Sequence, residues 1–220
     1  MNEISYLTFK ESKQHDRYLL NNGFSMNELI SIAGKQIANW IHTHYKNAPL
    51  LGIIGKGNNA LDVLSAFKQL NHNSSIFLYN LFPEVKTTPH YQNLINNKQI
   101  QLINSLDDIS KNTVIIDGIF GTGLNRPLSP LIKDTISQIN SLPNTVISID
   151  VPSGITETNN SNCIRANITL SMMFPKKIMQ NKLNRPFFGQ TYVLNFHLKH
   201  HQLNGYRFPK VIDNAIRIDE

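Results

Sequence analysis

The sequence predicts an α/β fold in which a mainly parallel sheet is covered by helices on both faces. Short apolar runs of strand length alternate with segments of helical periodicity along most of the chain. Three of those runs end in unusual turns, "GKGNN" at 55–59, "DGIFGTGLNRP" at 117–127 and "DVPSG" at 150–154. Parallel strands put their carboxyl ends on one edge, so the turns are expected to converge although they lie about a hundred residues apart.

Each element has a local reason. Residues 8–22 are polar and compatible with a helix. A second helix is expected from Ser25, where Glu28 stands at capping-box spacing and Leu29, Ile32, Ala33, Ile37 and Trp40 recur at helical intervals. Met26 and Trp40 read as core or staple residues, with ring stacking the lesser reading of Trp40. After Pro49 the apolar run "LLGIIG" reads as a strand, and residues 60–70 as a helix. "SIFLYNL" (75–81) is a strand, residues 90–98 a polar helix and "IQLI" (100–103) a short strand. "TVIIDGIFG" (113–121) ends in a glycine turn, and "SPLIKDTISQINSL" (129–142) is an amphipathic helix with Pro130 near its start. "TVISIDVPSG" (145–154), "ANITLSMMF" (166–174) and "QTYVLNFHL" (190–198) complete the strands, and "ETNNSN" (157–162) is a polar loop. No internal repeat, linker or low-complexity tract is visible. The expected organisation is one domain over 1–220, with helices in 1–48 packing on a core at 49–200 and a tail at 201–220.

Composition narrows the function classes. The chain has 220 residues and 40% apolar content, enough for one sizeable core. It lacks a run of about 20 apolar residues, so no spanning helix is expected, and its N-terminus does not read as a secretory signal. A single cysteine, Cys163, excludes an internal disulfide and a multi-cysteine zinc site. It reads as inert, and the setting as cytoplasmic. The net charge of +6 favours anionic ligands. The basic residues are scattered, with clusters at "PKK" (175–177) and "HLKHH" (197–201), and no nucleic-acid-binding signature accompanies them. His197, His200 and His201 read as a solvated tail face rather than a metal site.

Chemistry concentrates at the three turns. Gly55 and Gly57 are suited to positive φ and close backbone approach, and the helix after them offers free N–H groups to an anion. The spacing makes neither the GxGxxG fingerprint nor a Walker motif, which ranks an ordinary NAD-dependent dehydrogenase low. The bland reading is a tight turn capped by Asn58, Asn59 and Asp62. In the second turn Gly121, Thr122, Gly123 and Arg126 can surround a diphosphate. Alternatively, the arginine pairs with a neighbouring carboxylate. In the third turn Asp150 can transfer protons or bind a sugar hydroxyl, or it can cap a turn. Each turn alone is ambiguous, and their shared position favours a ligand site.

Together the turns resemble those of the NAD(P)HX epimerase family, the N-terminal domain of YjeF-type nicotinamide nucleotide repair proteins. That family shows a GPGNNGGDG-like loop, then DALFGTGLxRP, then DIPSGLDADTG. The chain reads "GKGNNALDV", "DGIFGTGLNRP" and "DVPSGITETNN". "GFSMNELISIAG" and "MMFPKK" are also similar to family segments, so the likeness runs from about residue 16 to 180. The resemblance implies a Rossmann-like three-layer αβα sandwich, often homodimeric. It implies interconversion of the R and S forms of NADHX and NADPHX, cofactors hydrated at C6, beside an ADP- or ATP-dependent dehydratase that accepts the S form. A dehydratase domain is not itself expected within this length. Substrate contacts carried over by position are Asn58, Asn59, Ala60, Leu61, Asp62, Gly121, Thr122, Gly123, Leu124, Asn125, Arg126, Pro127 and Asp150. A potassium ion would fall to Asn59, Asp117 and Ser153, and Asp150 is the acid/base candidate.

The chain departs from the family at Ala60 and Leu61, where Gly-Gly is usual, and at Thr156, where an Asp is usual. Leu61 adds bulk beside a backbone that a nucleotide would approach, and this supports a competing reading as a noncatalytic binding or dimerisation scaffold. The retained polar set, Asn58, Asn59, Asp62, Asp117, Arg126, Asp150 and Ser153, favours a working site with an altered rim.

Overall fold

The computed structural model describes residues 4–82, 92–93, 100–107, 109–158, 160–209 and 214–218. Two capped helices come first. α1 (Phe9–Asn21) opens with a capping box, in which Thr8 Oγ1 accepts from Glu11 N–H and the Glu11 carboxylate accepts from Thr8 N–H. α2 (Met26–Tyr45) starts with the expected Ser25–Glu28 box. Each box satisfies N–H groups that the first helical turn leaves unpaired.

The strands are β1 (Leu50–Ile54), β2 (Ile76–Asn80), β3 (Ile100–Ile103), β4 (Val114–Gly118), β5 (Val146–Ile149), β6 (Ile168–Met172), β7 (Gln190–Leu194) and β8 (Ala215–Arg217). Between them lie α3 (Asn58–Gln69), α4 (Pro130–Ser141) and the one-turn α5 (Arg185–Phe188). α3 starts two residues before the expected 60, β3 has the expected bounds, and β2, β6 and β7 are shorter than their apolar runs. Of the helix expected over 90–98, residues 92 and 93 are helical and the others lie outside the described residues.

The sheet has eight strands in the order β3-β2-β1-β4-β5-β6-β7-β8, parallel throughout except between β7 and β8. β8 falls within the segment read as a tail. It pairs Tyr192 with Arg217 and Leu194 with Ala215, closing the last edge. The chain reverses direction across the sheet between β1 and β4, and a crevice opens at the carboxyl ends of strands where the order switches.

Strand periodicity sets the layers. Leu50 and Ile54 point into a core shared with α2 and α3, whereas Leu51 and Ile53 point into one shared with Ile132, Ile136 and Ile139 of α4. β1 and β4 are buried on both faces, as helix-covered parallel strands should be. The result is the expected three-layer α/β sandwich. Trp40 belongs to its core, stacked on His44 at 4.0 Å and edge-on to Tyr192 at 5.2 Å. Cys163 is buried, and burial pushes its thiol up to about 11, which suits an inert packing residue. His197, His200 and His201 are exposed, and no three His, Cys, Asp or Glu gather as a metal cluster among the described residues. Nor is any helix among them long and apolar enough to cross a membrane.

The α2–α3 crossing depends on Gly34. A Cβ there would lie 2.6 Å from Ser65 Cβ and 2.7 Å from the Ser65 carbonyl carbon, so backbone as well as side chain blocks it. Gly34→Ala should therefore destabilise by about 1–3 kcal/mol through overpacking, outweighing the roughly 1 kcal/mol gain in helix propensity. A thermal melt checks this, and an unchanged or higher melting temperature would mean that the two helices separate freely.

Candidate active site

β1, β4 and β5 are neighbours in the sheet, so their following turns meet at one edge. The centre of the junction is Asp117, fully buried near the end of β4. Its Oδ1 accepts from Ser153 Oγ at 2.5 Å and Ile119 N at 3.3 Å, and its Oδ2 accepts from Ser148 Oγ at 2.7 Å and Ser153 N at 2.9 Å. Ser153 Oγ in turn accepts from Phe120 N at 2.8 Å. Thus one carboxylate ties β4 to β5 and the second turn to the third. Burial pushes its pKa up, and these four bonds oppose the shift.

Above this junction is a cavity of about 410 Å³. Lys56, Gly57, Asn58 and Asn59 line it from the first turn, and Phe120 through Arg126 from the second. Gly57 is the N-cap of α3 and supplies no side-chain cap, so first-turn N–H groups remain available to an anion. Asn59 Nδ2 donates to Ile149 O at 3.1 Å and links α3 to the end of β5. A Cβ on Gly121 would sit 3.1 Å from Asp150 Oδ2 and 3.3 Å from Asn59 Oδ1, so the missing side chain is what lets the three turns touch. Arg126 is exposed at the rim and pairs with no carboxylate among the described residues.

Asp150 occupies the left-handed region, with φ 68. Aspartate tolerates that region better than most residues, but the conformation needs support. Asp150 N donates to Leu170 O at 2.8 Å, Oδ2 accepts from Thr122 N at 3.3 Å, and Oδ1 pairs with Lys176 Nζ at 2.7 Å. Lys176 is 2% exposed and also donates to Phe174 O at 2.8 Å, Met172 O at 3.2 Å and Ser171 Oγ at 3.3 Å. A buried ammonium bound to three oxygens and a carboxylate gives the cavity a fixed charge pair.

Several expectations need correction. Neither Gly55 nor Gly57 has positive φ. At Gly55 the requirement is room, since a Cβ would overlap the Ile119 carbonyl oxygen. Ala60 and Leu61 do not line the cavity, whereas Asn58, Asn59 and Asp62 do. Helical rotation of about 100° per residue separates the two sets. Ala60 is buried in the core, and Leu61 packs half-buried against the same cluster. Pro127 also stands outside the cavity, exposed beyond Arg126. Met26, expected in the core, is 40% exposed at the cavity, with Asn58 Nδ2 3.6 Å from its sulfur.

The structure adds a wall the sequence did not announce. His15 and Asp16 of α1, Leu29 and Ile30 of α2, and Met173 and Phe174 after β6 face the same space. His15 Nε2 lies 3.0 Å from Gln202 O, which makes it the donor and leaves buried Nδ1 as an unpartnered acceptor. Burial lowers the pKa of His15. In the sequence Lys176 stands out only within the PKK cluster and the MMFPKK segment of the family likeness, and Asp16 only as the start of that likeness.

Asp117 and Asn59 are of the donor type that a hard monovalent cation takes, although both Asp117 oxygens already accept two hydrogen bonds each. They offer oxygen donors, and no cationic side chain touches the Asp117 carboxylate among the described residues. Asn59 Oδ1 accepts no hydrogen bond among them. Ser153 Oγ is already engaged with Asp117 and Phe120, so an ion there would share that hydroxyl with them.

The family model for the YjeF-related protein N-terminus matches residues 26–178. The NAD(P)H-hydrate epimerase of Paramecium tetraurelia is 28% identical over 204 residues, 88% of this chain and 87% of that protein. The bifunctional NAD(P)H-hydrate repair enzyme Nnr of Thermosynechococcus vestitus is 26% identical over 201 residues, 86% of this chain but 39% of that longer protein. The crystal structure of the yeast protein YNL200c superposes with a TM-score of 0.79 over 98% of this chain and 100% of that one, at 18% identity.

Because Leu61 contacts the core and not the cavity, Leu61→Gly should cost roughly 1–3 kcal/mol of stability through lost packing and helix propensity. Its affinity for NADP should stay within about threefold of the native value, which is under 1 kcal/mol. Calorimetric titration and a thermal melt read both. A gain of tenfold or more in NADP affinity would show that the leucine obstructs the site.

Proposed function

The chain belongs to the YjeF-related N-terminal family, and from that premise we propose that it is an NAD(P)H-hydrate epimerase, interconverting the R and S forms of NADHX and NADPHX in the cavity at the ends of β1, β4 and β5. The observation that carries this reading to a site is the meeting of the three family-like turns around one cavity that holds a charge-paired Asp150. The free N-terminus of α3 and the exposed Arg126 suit the diphosphate. The apolar stretch formed by Leu29, Ile30, Met173 and Phe174 suits a ring.

Inversion at C6 needs a group to leave one face and return to the other. Asp150 is the proton-transfer group in this reading, since its carboxylate faces the cavity from a backbone fixed on both sides. Asn58, Asn59 and Asp62 position the substrate from α3, and Gly121 to Arg126 position it from the second turn. Ala60 and Leu61, on which the scaffold reading leaned, lie outside the cavity and no longer favour it.

Other parts of the proposal rest on family likeness alone. They are a potassium ion held by Asn59, Asp117 and Ser153, a homodimer, and a cytoplasmic setting. A working link to an ADP- or ATP-dependent dehydratase rests on the same likeness, beside a relative whose name describes a bifunctional repair enzyme. The potassium ion, when bound, would supply positive charge beside the buried Asp117.

Asp150→Asn keeps size and tolerance of positive φ but removes proton exchange. It should lower epimerisation of the R form by roughly a hundredfold or more, read by coupling to an S-specific dehydratase. The variant also leaves the Lys176 ammonium without its counter-charge, so its melting temperature should fall. Native turnover in a folded variant would remove Asp150 from the chemistry.

Potassium should raise the melting temperature above that in choline salt at equal ionic strength, because an ion bound only by the folded state stabilises it. Asn59→Ala should abolish that difference. Equal melting temperatures for the native chain in the two salts would count against the ion site.

A further inference from the structure

Asp16 has a built place in this cavity. The segment before α1 is strapped to the segment that carries Lys176. Leu7 N donates to Pro175 O at 2.9 Å, and Lys177 N donates to Leu7 O at 2.8 Å. The Glu11 carboxylate pairs with Lys177 at 3.0 Å, and Tyr18 Oη donates to His201 O at 2.8 Å on the other side of the helix. These bonds fix α1 so that Asp16 faces the cavity that Asp150 and Lys176 also face. No hydrogen bond or ion pair holds the Asp16 carboxyl among the described residues, whereas Asp150 has both.

We propose that Asp16 is the second acid–base group of the epimerisation, the counterpart of Asp150 in the same cavity. The proposal rests on the epimerase reading above. Asp16 in its acid form gives a proton to the C6 hydroxyl, which leaves as water while the N1 electron pair forms an N1=C6 double bond. Water then adds to the opposite face of C6, the electron pair returns to N1, and the Asp150 carboxylate takes the released proton. One water leaves and one enters, so the pair ends with the same proton count, and the reverse reaction exchanges the two roles.

Charge and burial agree with this division. The carboxyl of Asp16 is pushed up to about 6 by burial and by the charge of Asp150, against the opposing pull of Lys176. Two carboxyls in unlike surroundings are the usual basis for an acid–base division. Asp62 on α3 faces the same cavity, and burial and the charges of Asp150 and Asp16 push its pKa well above the ordinary carboxylate range. The remaining charged or titratable groups facing the cavity are Lys13 and His15 of the same helix, and Lys56 and Arg126.

The test is the pH profile of R-form epimerisation, coupled to an S-specific dehydratase, for the native chain, Asp16→Asn and Asp16→Glu. The native kcat/KM should fall as pH rises through about 6, where Asp16 loses the proton it donates. Asp16→Asn should lose that limb and roughly a hundredfold or more in rate, and Asp16→Glu should recover part of both. Thermal melts give a second readout. A carboxyl with a raised folded pKa subtracts stability as pH rises from its unfolded value of 3.8 through about 6. Asp16→Asn should therefore gain stability over the native chain at pH 8 relative to pH 4. An Asp16→Asn chain with native rate and limb overturns the proposal, and so does one whose stability relative to native is no higher at pH 8 than at pH 4. A native chain with no turnover at any pH removes the epimerase reading itself, and this proposal with it.

Discussion

The site depends on one buried carboxylate. Asp117 sits in the middle of the sheet, opposite Ile53 of β1 and Ser148 of β5. Its four hydrogen bonds reach its own turn, the next strand and the turn after that strand. A carboxylate in that position is costly unless its lone pairs are satisfied. The segments around it must therefore keep Ser148 and Ser153 in place. Because Ser153 also binds Phe120, the second and third turns are positioned by the same demand.

The reactive end of the cavity is held by a second constraint of opposite character. Asp150 is strained in the left-handed region, and its partner Lys176 is an ammonium almost without solvent contact. Neither would persist alone. The ion pair joins the end of β5 to the segment after β6, and the backbone bond to Leu170 joins the same strands. Strain and desolvation at one point are therefore offset by the packed sheet beneath it, the usual arrangement where a side chain must be aimed rather than merely accommodated. α1 is fixed against this region through Leu7 and Glu11, so an element with mostly polar sequence becomes a wall of the site.

Much of the fold was legible in short windows. Strand runs, the Ser25–Glu28 box and Pro130 at the start of α4 are local signals, and the structure places those elements within a few residues of expectation. The three turns were legible too, because glycine, proline and asparagine after an apolar strand carry turn chemistry in themselves. Even their convergence followed from the rule that parallel strands share a carboxyl edge. Where local composition was weak, the reading thinned. Residues 201–220 read as a tail, yet Ala215–Arg217 pair with β7.

The alternation of strands and helices, the position of the turns and the polar residues they carry were determined by sequence, because each is written within one turn or one period of the chain. Which of those residues face the cavity was decided only by tertiary structure. Asn59 and Ala60 are adjacent, yet helical rotation sends one to the site and the other to the core. Asp16 and Lys176 lie far apart in the chain and meet the same cavity because backbone bonds strap the start of α1 to the segment after β6. Such a meeting is a property of packing across the whole sheet, and no window of sequence contains both partners.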